Sequence, residues 1–281
     1  MPDRVQPVIS AARPQETEAV RYAVLGSGSS ANAYIFQYGD TAVAVDNGFS
    51  CKEFLRRAVA AGFDPGALKI ILLTHVHGDH LRGVSTLSRA LKIPVALHRD
   101  LPVPRFFPKG VHSSLPLTPE EPVTVGAVTI LPFLSSHDAP CSMNYHLRLP
   151  GRSFTIITDT GVILPRMYEL ARQSNVLFLE ANYSKTMLLN GPYPEDIKQR
   201  ILSEQGHLSN DDAVHFLNDL YSCDEPDLEM VYFCHLSDTN NAPEVLKEHL
   251  RLHLVPDLHI RVCEKGELCL PPCQEGVGRS S

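Results

Sequence analysis

The run His75-Val-His-Gly-Asp-His80, directly after the short apolar segment Ile70–Leu73, constrains this chain more than any other feature. Four metal-competent side chains fall within six residues. On a regular helix, residues one and two positions apart point in different directions, because the neighbours on one face are three or four apart. A tight turn at Gly78 would bring them to one point, since glycine tolerates backbone angles that other residues avoid. The expected fold therefore offers a rigid buried strand ending in a ligand-bearing loop that holds metal. The competing reading is a chance cluster of surface histidines. The ordered H-x-H-x-D-H spacing, in a chain with only 13 histidines, argues against it.

Four side chains do not complete two metal sites, so other strand ends should supply more ligands. His137 lies in Ser135-Ser-His-Asp-Ala-Pro140 after an expected strand at 128–133. Asp159 ends a strand at 154–158 in Thr158-Asp-Thr-Gly161, and His235 ends one at 229–233 in Cys234-His-Leu-Ser237. Each alone would read as a turn former; the ordered set reads as ligands. Further strands are expected at 21–25, 33–38, 41–45, 70–73, 95–97, 123–125, 144–149, 176–179 and 258–262. Helices are expected at 50–61, 81–91, 163–173, 194–204, 210–220 and 243–252, with a proline-rich loop reaching about 122. Two clusters of strands, each followed by helices, predict an α/β (α+β) domain of two similar halves, with two packed sheets and helices outside. Residues 1–20 read as a flexible polar lead-in, 21–263 as the domain and 264–281 as a C-terminal tail.

Composition excludes several classes. With 281 residues, 43% hydrophobic, and a mean hydropathy of −0.08, the chain is not disordered, collagenous or a coiled coil. No stretch approaches the roughly 20 apolar residues of a membrane helix, and the first twenty residues lack a secretory core. Seven scattered cysteines suit a reducing compartment, so a cytoplasmic location without membrane contact is expected. Cys269 and Cys273 have a three-residue gap, which is not zinc-ribbon spacing. The net charge of −7 argues against a general nucleic-acid coat protein, yet residues 51–110 carry ten Lys/Arg against four Asp/Glu. That segment either faces a polyanion or forms solvated helix surfaces. Gly26-Ser-Gly-Ser-Ser-Ala31 superficially fits a dinucleotide fingerprint, but the expected strand at 33–38 stands where that fingerprint needs a helix.

From about Arg21 to Val262 these motifs resemble those of the metallo-β-lactamase-fold hydrolases. The resemblance implies a four-layer αββα sandwich with metals between the loop edges of its two sheets. It implies His75, His77 and His137 on one ion, Asp79, His80 and His235 on the other, and Asp159 bridging them. Two divalent ions per chain follow, zinc first with manganese or iron as alternatives, because every donor is N or O. Asp46 would steady the first loop. Leu179-Glu-Ala-Asn182, Asn190-Gly-Pro-Tyr-Pro194, Ile197-Lys-Gln-Arg-Ile201 and Gly206-His-Leu-Ser-Asn210 narrow the resemblance, together with Gly26-Ser-Gly-Ser-Ser30 and Thr239-Asn-Asn241. They are similar to the YycJ/WalJ-like bacterial DNA 5′–3′ exonucleases. That family usually continues Glu-Ala-Asn with His-Asp, where this chain has Tyr183-Ser184.

A likeness to RNase Z-type tRNA-processing nucleases places Glu180 and His207 at the positions of a proton-relay pair. Asp79, Glu180 and His207 are thus the candidate catalytic residues. The expected activity is a dinuclear phosphodiesterase acting on nucleic acid, DNA before RNA. A hydroxide between the ions would attack phosphorus in line, and His207 would protonate the departing oxygen. Alternatives are an RNA or small cyclic-phosphodiester hydrolase, or a metal-binding sensor with vestigial catalysis. His207 could also be an ordinary helix-entry residue ahead of a Ser209 cap, and Lys198 and Arg200 either meet phosphates or form a solvated face.

Overall fold

All five residues of Thr41–Val45, and all five of Val176–Glu180, are buried. A strand shows this pattern when both its faces are covered, so these sheets have neighbours on each side. The computed structural model describes residues 19–223 and 226–272. The first half runs β1 (Arg21–Gly26), β2 (Ala33–Tyr38), β3 (Thr41–Val45), α1 (Cys51–Ala60), β4 (Leu68–Leu72), α2 (Gly78–Leu81), α3 (Val84–Leu91), β5 (Pro94–His98), α4 (Val103–Phe106) and β6 (Ser113–Leu117). The second half runs β7 (Val123–Val125), β8 (Val128–Leu134), β9 (Met143–Leu149), β10 (Arg152–Ile157), α5 (Pro165–Arg172), β11 (Val176–Glu180), α6 (Lys185–Asn190), α7 (Glu195–Leu202), α8 (Asn210–Cys223), β12 (Met230–Cys234), α9 (Pro243–His253) and β13 (Ile260–Val262).

Strands β1 to β6 form one sheet in sequence order, and β7 to β13 form the other. Each sheet opens as an antiparallel meander and finishes parallel: β3 to β6 in the first, β10 to β13 in the second. This repeat accounts for the two similar halves. Tyr22, Phe36, Phe154, Phe178 and Tyr232 fill the space between the sheets, with Phe178 and Tyr232 stacked at 5.1 Å. Phe54 and Ala58 of α1 and Leu87 of α3 cover the outer face of the first sheet. Met167 of α5, Phe216 and Leu217 of α8 and Leu246 of α9 cover the second. The layers are therefore αββα, as expected, and no helix among the described residues is long and apolar enough to cross a membrane.

Several local expectations are corrected. Gly78 is not a left-handed turn residue; it opens α2, and extended His77 precedes it at φ −69, ψ 150. The expected helix at 81–91 is interrupted between α2 and α3. The proline-rich loop contains α4 and the edge strand β6, and α6 follows β11 where no helix was expected. Of the lead-in, residues 1–18 lie outside the described residues, as do 273–281 of the tail and with them Cys273. The rest of the tail packs: Cys269 exchanges backbone hydrogen bonds with Val24 of β1 at 3.0 Å, and Leu268 and Leu270 pack against the outer core. The fold thus continues past residue 263.

Candidate metal centre and active site

The residues singled out in the sequence lie where the parallel strands end. Asp46 follows β3, His75 follows β4, Asp159 follows β10, Glu180 closes β11 and His235 follows β12. Ligand sites in such sheets form at the carboxyl ends of strands. Asp46, Asp159 and His235 adopt left-handed backbone angles, with φ of 59, 55 and 57. For residues other than glycine this costs about 1–3 kcal/mol each, a strain found mostly at functional sites.

An extended segment followed by a helical turn gathers the first motif. His75 and His77 stand two apart in the segment that leads into α2, extended at His77, and their rings lie 4.7 Å apart, while Asp79 and His80 sit on the first turn of α2. Backbone bonds fix that turn: Asn32 N–H donates to the Asp79 carbonyl at 2.8 Å, and Asn47 N–H to the His80 carbonyl at 2.8 Å. The approach is close enough that a Cβ on Gly48 would lie 1.8 Å from the Asp79 carbonyl oxygen. A Cβ on Gly83, which stands between α2 and α3, would come equally near the Phe49 carbonyl oxygen. Asp46 steadies the loop, accepting from Thr74 N at 2.8 Å, Thr74 Oγ1 at 2.7 Å and His80 Nδ1 at 2.8 Å.

The hydrogen-bond pattern assigns the imidazole tautomers. Nδ1 of His75 donates to Thr74 Oγ1, of His80 to Asp46, of His137 to the Gly206 carbonyl and of His235 to Glu180. Each Nε2 is thereby left to face the cluster, as metal-binding histidines require. His77 is turned the other way: its Nδ1 lies 3.2 Å from His137 Nε2, and its Nε2 lies 3.5 Å from Asp138 Oδ1.

Two triads, His75–His77–His137 and Asp79–His80–His235, each bring their donor atoms within 4.8 Å of one another. Asp159 lies between them, with Oδ1 3.6 Å from His137 Nε2 and 3.5 Å from His235 Nε2, and Oδ2 3.4 Å from His80 Nε2. His75 Nε2 and Asp159 Oδ2 are buried without a hydrogen-bond partner. Such orphaned atoms cost about 1–3 kcal/mol each, and a shared cation would satisfy both. Burial, reinforced by neighbouring His80, His137 and His77, holds His75 well below the usual histidine range, so its lone pair is available. Burial also opposes charge on His80, but Asp159 and Asp46 outweigh it and push the group up to about 10. Carboxylates that hold a proton there would equally hold a metal ion. Burial works against Asp79 as well, yet hydrogen bonds to His235 and His80 keep its carboxyl well below the usual range. The donor set fits divalent cations.

Glu180, fully buried, lies beneath this cluster. Its Oε1 accepts from His207 Nδ1 at 2.7 Å and from His235 Nδ1 at 2.9 Å. Its Oε2 accepts from the amides of Thr160 and Leu208 at 3.2 and 3.3 Å. Burial would raise its pKa, but His207 and His235 together hold the carboxyl well below the usual range. His207 lines a cavity of about 210 Å³ with His77, Asp79, Asp159, His235 and Arg200. The alternative assigned to its neighbourhood also holds, because Ser209 and Asp212 cap the start of α8 reciprocally. Lys198 is tied to the Leu189 carbonyl at 2.8 Å, whereas Arg200 faces the cavity. Tyr183 is buried against Leu188 and Ile201, and Ser184 caps α6, so the pair at the family's His-Asp positions has structural roles.

Sequence reasoning missed Asn32 and the part played by Asp138. Asn32 is fully buried and its amide donates to Asp79 Oδ2 at 3.1 Å across 47 residues of sequence. No local pattern announces that contact. Asp138 had a signal, being a carboxylate directly after a candidate ligand.

Residues 41–236 match the model of the β-lactamase superfamily domain. The chain is 31% identical over 231 residues to exodeoxyribonuclease WalJ of Streptococcus pneumoniae serotype 2, covering 80% of this chain and 84% of that protein. It is likewise 31% identical over 244 residues to exodeoxyribonuclease YycJ of Bacillus anthracis, covering 81% and 86%. Among solved structures, the metallo-β-lactamase-fold protein YhfI of Bacillus subtilis superposes with a TM-score of 0.69 at 17% identity, over 90% of this chain and all of that one. The chain therefore belongs to the β-lactamase superfamily and, within it, to the family of WalJ and YycJ.

Proposed function

We propose that this protein is a dinuclear metal-dependent phosphodiesterase that shortens DNA as a 5′–3′ exonuclease. His75, His77 and His137 would hold one ion and Asp79, His80 and His235 the other, with Asp159 between them. The nitrogen and oxygen donors suit zinc first, and manganese or iron after it. Bound ions supply Lewis acidity at the phosphoryl oxygens and a water nucleophile of lowered pKa.

The observation that carries the reading is the Glu180–His207 pair, which belongs to neither triad and whose histidine lines the same cavity. The buried carboxylate accepts from His207 Nδ1 at 2.7 Å and so fixes the orientation of the ring. The imidazole can therefore deliver a proton to a departing alkoxide. Phosphodiester cleavage in nucleic acid needs that proton. The WalJ and YycJ relatives are named exodeoxyribonucleases, which favours DNA as the substrate. Tyr183 and Ser184 support the fold, and the cluster and relay are complete without them, which weighs against a vestigial sensor.

His207→Ala should keep its metal and lose about 10²–10⁴-fold in rate on DNA. Hydrolysis of bis(p-nitrophenyl) phosphate should change far less, because nitrophenolate leaves without a proton. Equal losses on both substrates with metal intact would overturn the acid assignment.

A further inference from the structure

Arg200 is half exposed on α7 at the cavity wall, and its Nη1 donates to Asp138 Oδ2 at 2.5 Å. Asp138 Oδ1 in turn lies 3.5 Å from His77 Nε2 and 3.4 Å from His137 Nε2. The carboxylate thus stands between the guanidinium and the histidine cluster. Among the described residues Arg200 has one ion-pair partner, Asp138, and a guanidinium carries five donors. An ion pair this exposed is weak, so an incoming phosphate can share or replace the carboxylate at little cost. Lys198, the other nearby cation on α7, is held by the Leu189 carbonyl and does not line the cavity.

We propose that Arg200 is the specificity-determining anion clamp of this site, binding the phosphate next to the one cleaved. Asp138 holds it one carboxylate away from the metal-ligand atoms, which leaves the attacked phosphate to the cluster itself. The clamp rests on the phosphodiesterase reading above and adds its preferred substrate class: strands with a second phosphate, over isolated phosphodiesters. A planar fork binds phosphate in two places at once, so lysine would be only a partial substitute.

The test compares wild type, Arg200→Ala and Arg200→Lys on an end-labelled DNA strand and on bis(p-nitrophenyl) phosphate. Metal content and binding of a cleavage-resistant phosphorothioate strand are measured alongside. Arg200→Ala should raise KM for DNA by about 10–100-fold, the loss expected for a charged hydrogen bond, with kcat much less affected. The salt dependence of strand binding should fall by about one unit of slope. Arg200→Lys should recover part of both, while hydrolysis of the small diester and the metal content stay near wild type. The clamp is refuted if KM for DNA is unchanged, if both substrates suffer equally, or if metal is lost with the arginine. A wild-type protein that hydrolyses the small diester but no nucleic-acid strand refutes the nuclease reading instead, and the clamp with it.

Discussion

Replacing Glu180 with glutamine removes one charge and changes almost no volume, yet four contacts depend on that carboxylate. Oε1 accepts from His207 and His235, and Oε2 from the amides of Thr160 and Leu208. A carboxylate accepts at both oxygens, whereas a carboxamide accepts at one end and donates at the other. With its oxygen toward the imidazoles, the substituted carboxamide would point its NH₂ at two amide N–H groups. With its oxygen toward the amides, its NH₂ would face both Nδ1 atoms and drive each proton to Nε2. On His235 that is the atom facing Asp79 and Asp159. A hydrogen bond to a buried charge contributes about 1.5–3 kcal/mol, and an orphaned donor costs about 1–3 kcal/mol. These losses share one site and do not add, so the expected destabilisation is about 2–4 kcal/mol. Affinity for the ion beside His235 should fall about 10–100-fold, the usual cost of losing the group that orients a ligand. Urea unfolding and elemental analysis at limiting metal measure the two effects. A Glu180→Gln protein with the wild-type unfolding midpoint and metal content, slowed only in turnover, would show that Glu180 serves His207 alone.

Asp79 belongs to one triad only, so Asp79→Ala should retain one of two ions by elemental analysis; loss of both or of neither contradicts the division. In the basic segment, Glu53 occupies Arg56 and Arg57, while Arg82, just after the first motif, and Arg89, in the last turn of α3, are exposed. Reversing the charges of Arg82 and Arg89 should weaken DNA binding and lower its salt slope by about two, with small-diester hydrolysis unchanged; an unaltered slope refutes a role in guiding DNA. Burial, helped by Arg148 and Arg166, pushes His146 down to about 4. The unfolded chain takes up this proton near the ordinary value of about 6.5, so stability falls as pH drops through that window, by up to about 3 kcal/mol, and levels off below it. The stability gap between wild type and His146→Gln should therefore shrink between pH 7 and 4.5, and parallel urea midpoints would count against this account.

The two-sheet architecture was legible because doubly covered strands such as β3 and β11 are continuous apolar runs, and the metal candidates stand immediately after such runs. β6 escaped notice because Ser113, Ser114 and Pro116 are exposed on an edge strand, where neither apolar pattern nor a full set of ladder donors is required. α6 is only six residues long and gives too little periodicity to read. Gly78 is not needed for its backbone freedom, since it is helical at the start of α2; the glycines needed here are Gly48 and Gly83, where two backbones nearly touch. The pairing of Glu180 with His207 was readable, but its second bond to His235 was not, since 55 residues separate the two. That second bond makes Glu180→Gln more damaging than a relay role alone implies.

The central claim is a two-ion centre that cleaves phosphodiesters in DNA, and digestion of 5′- and 3′-labelled DNA by protein of measured metal content tests it most directly. About two ions per chain and stepwise release of nucleotides from the 5′ end are expected, both abolished by Asp159→Asn. Protein carrying two ions that leaves every labelled strand intact, or strand loss that persists in Asp159→Asn, would contradict it.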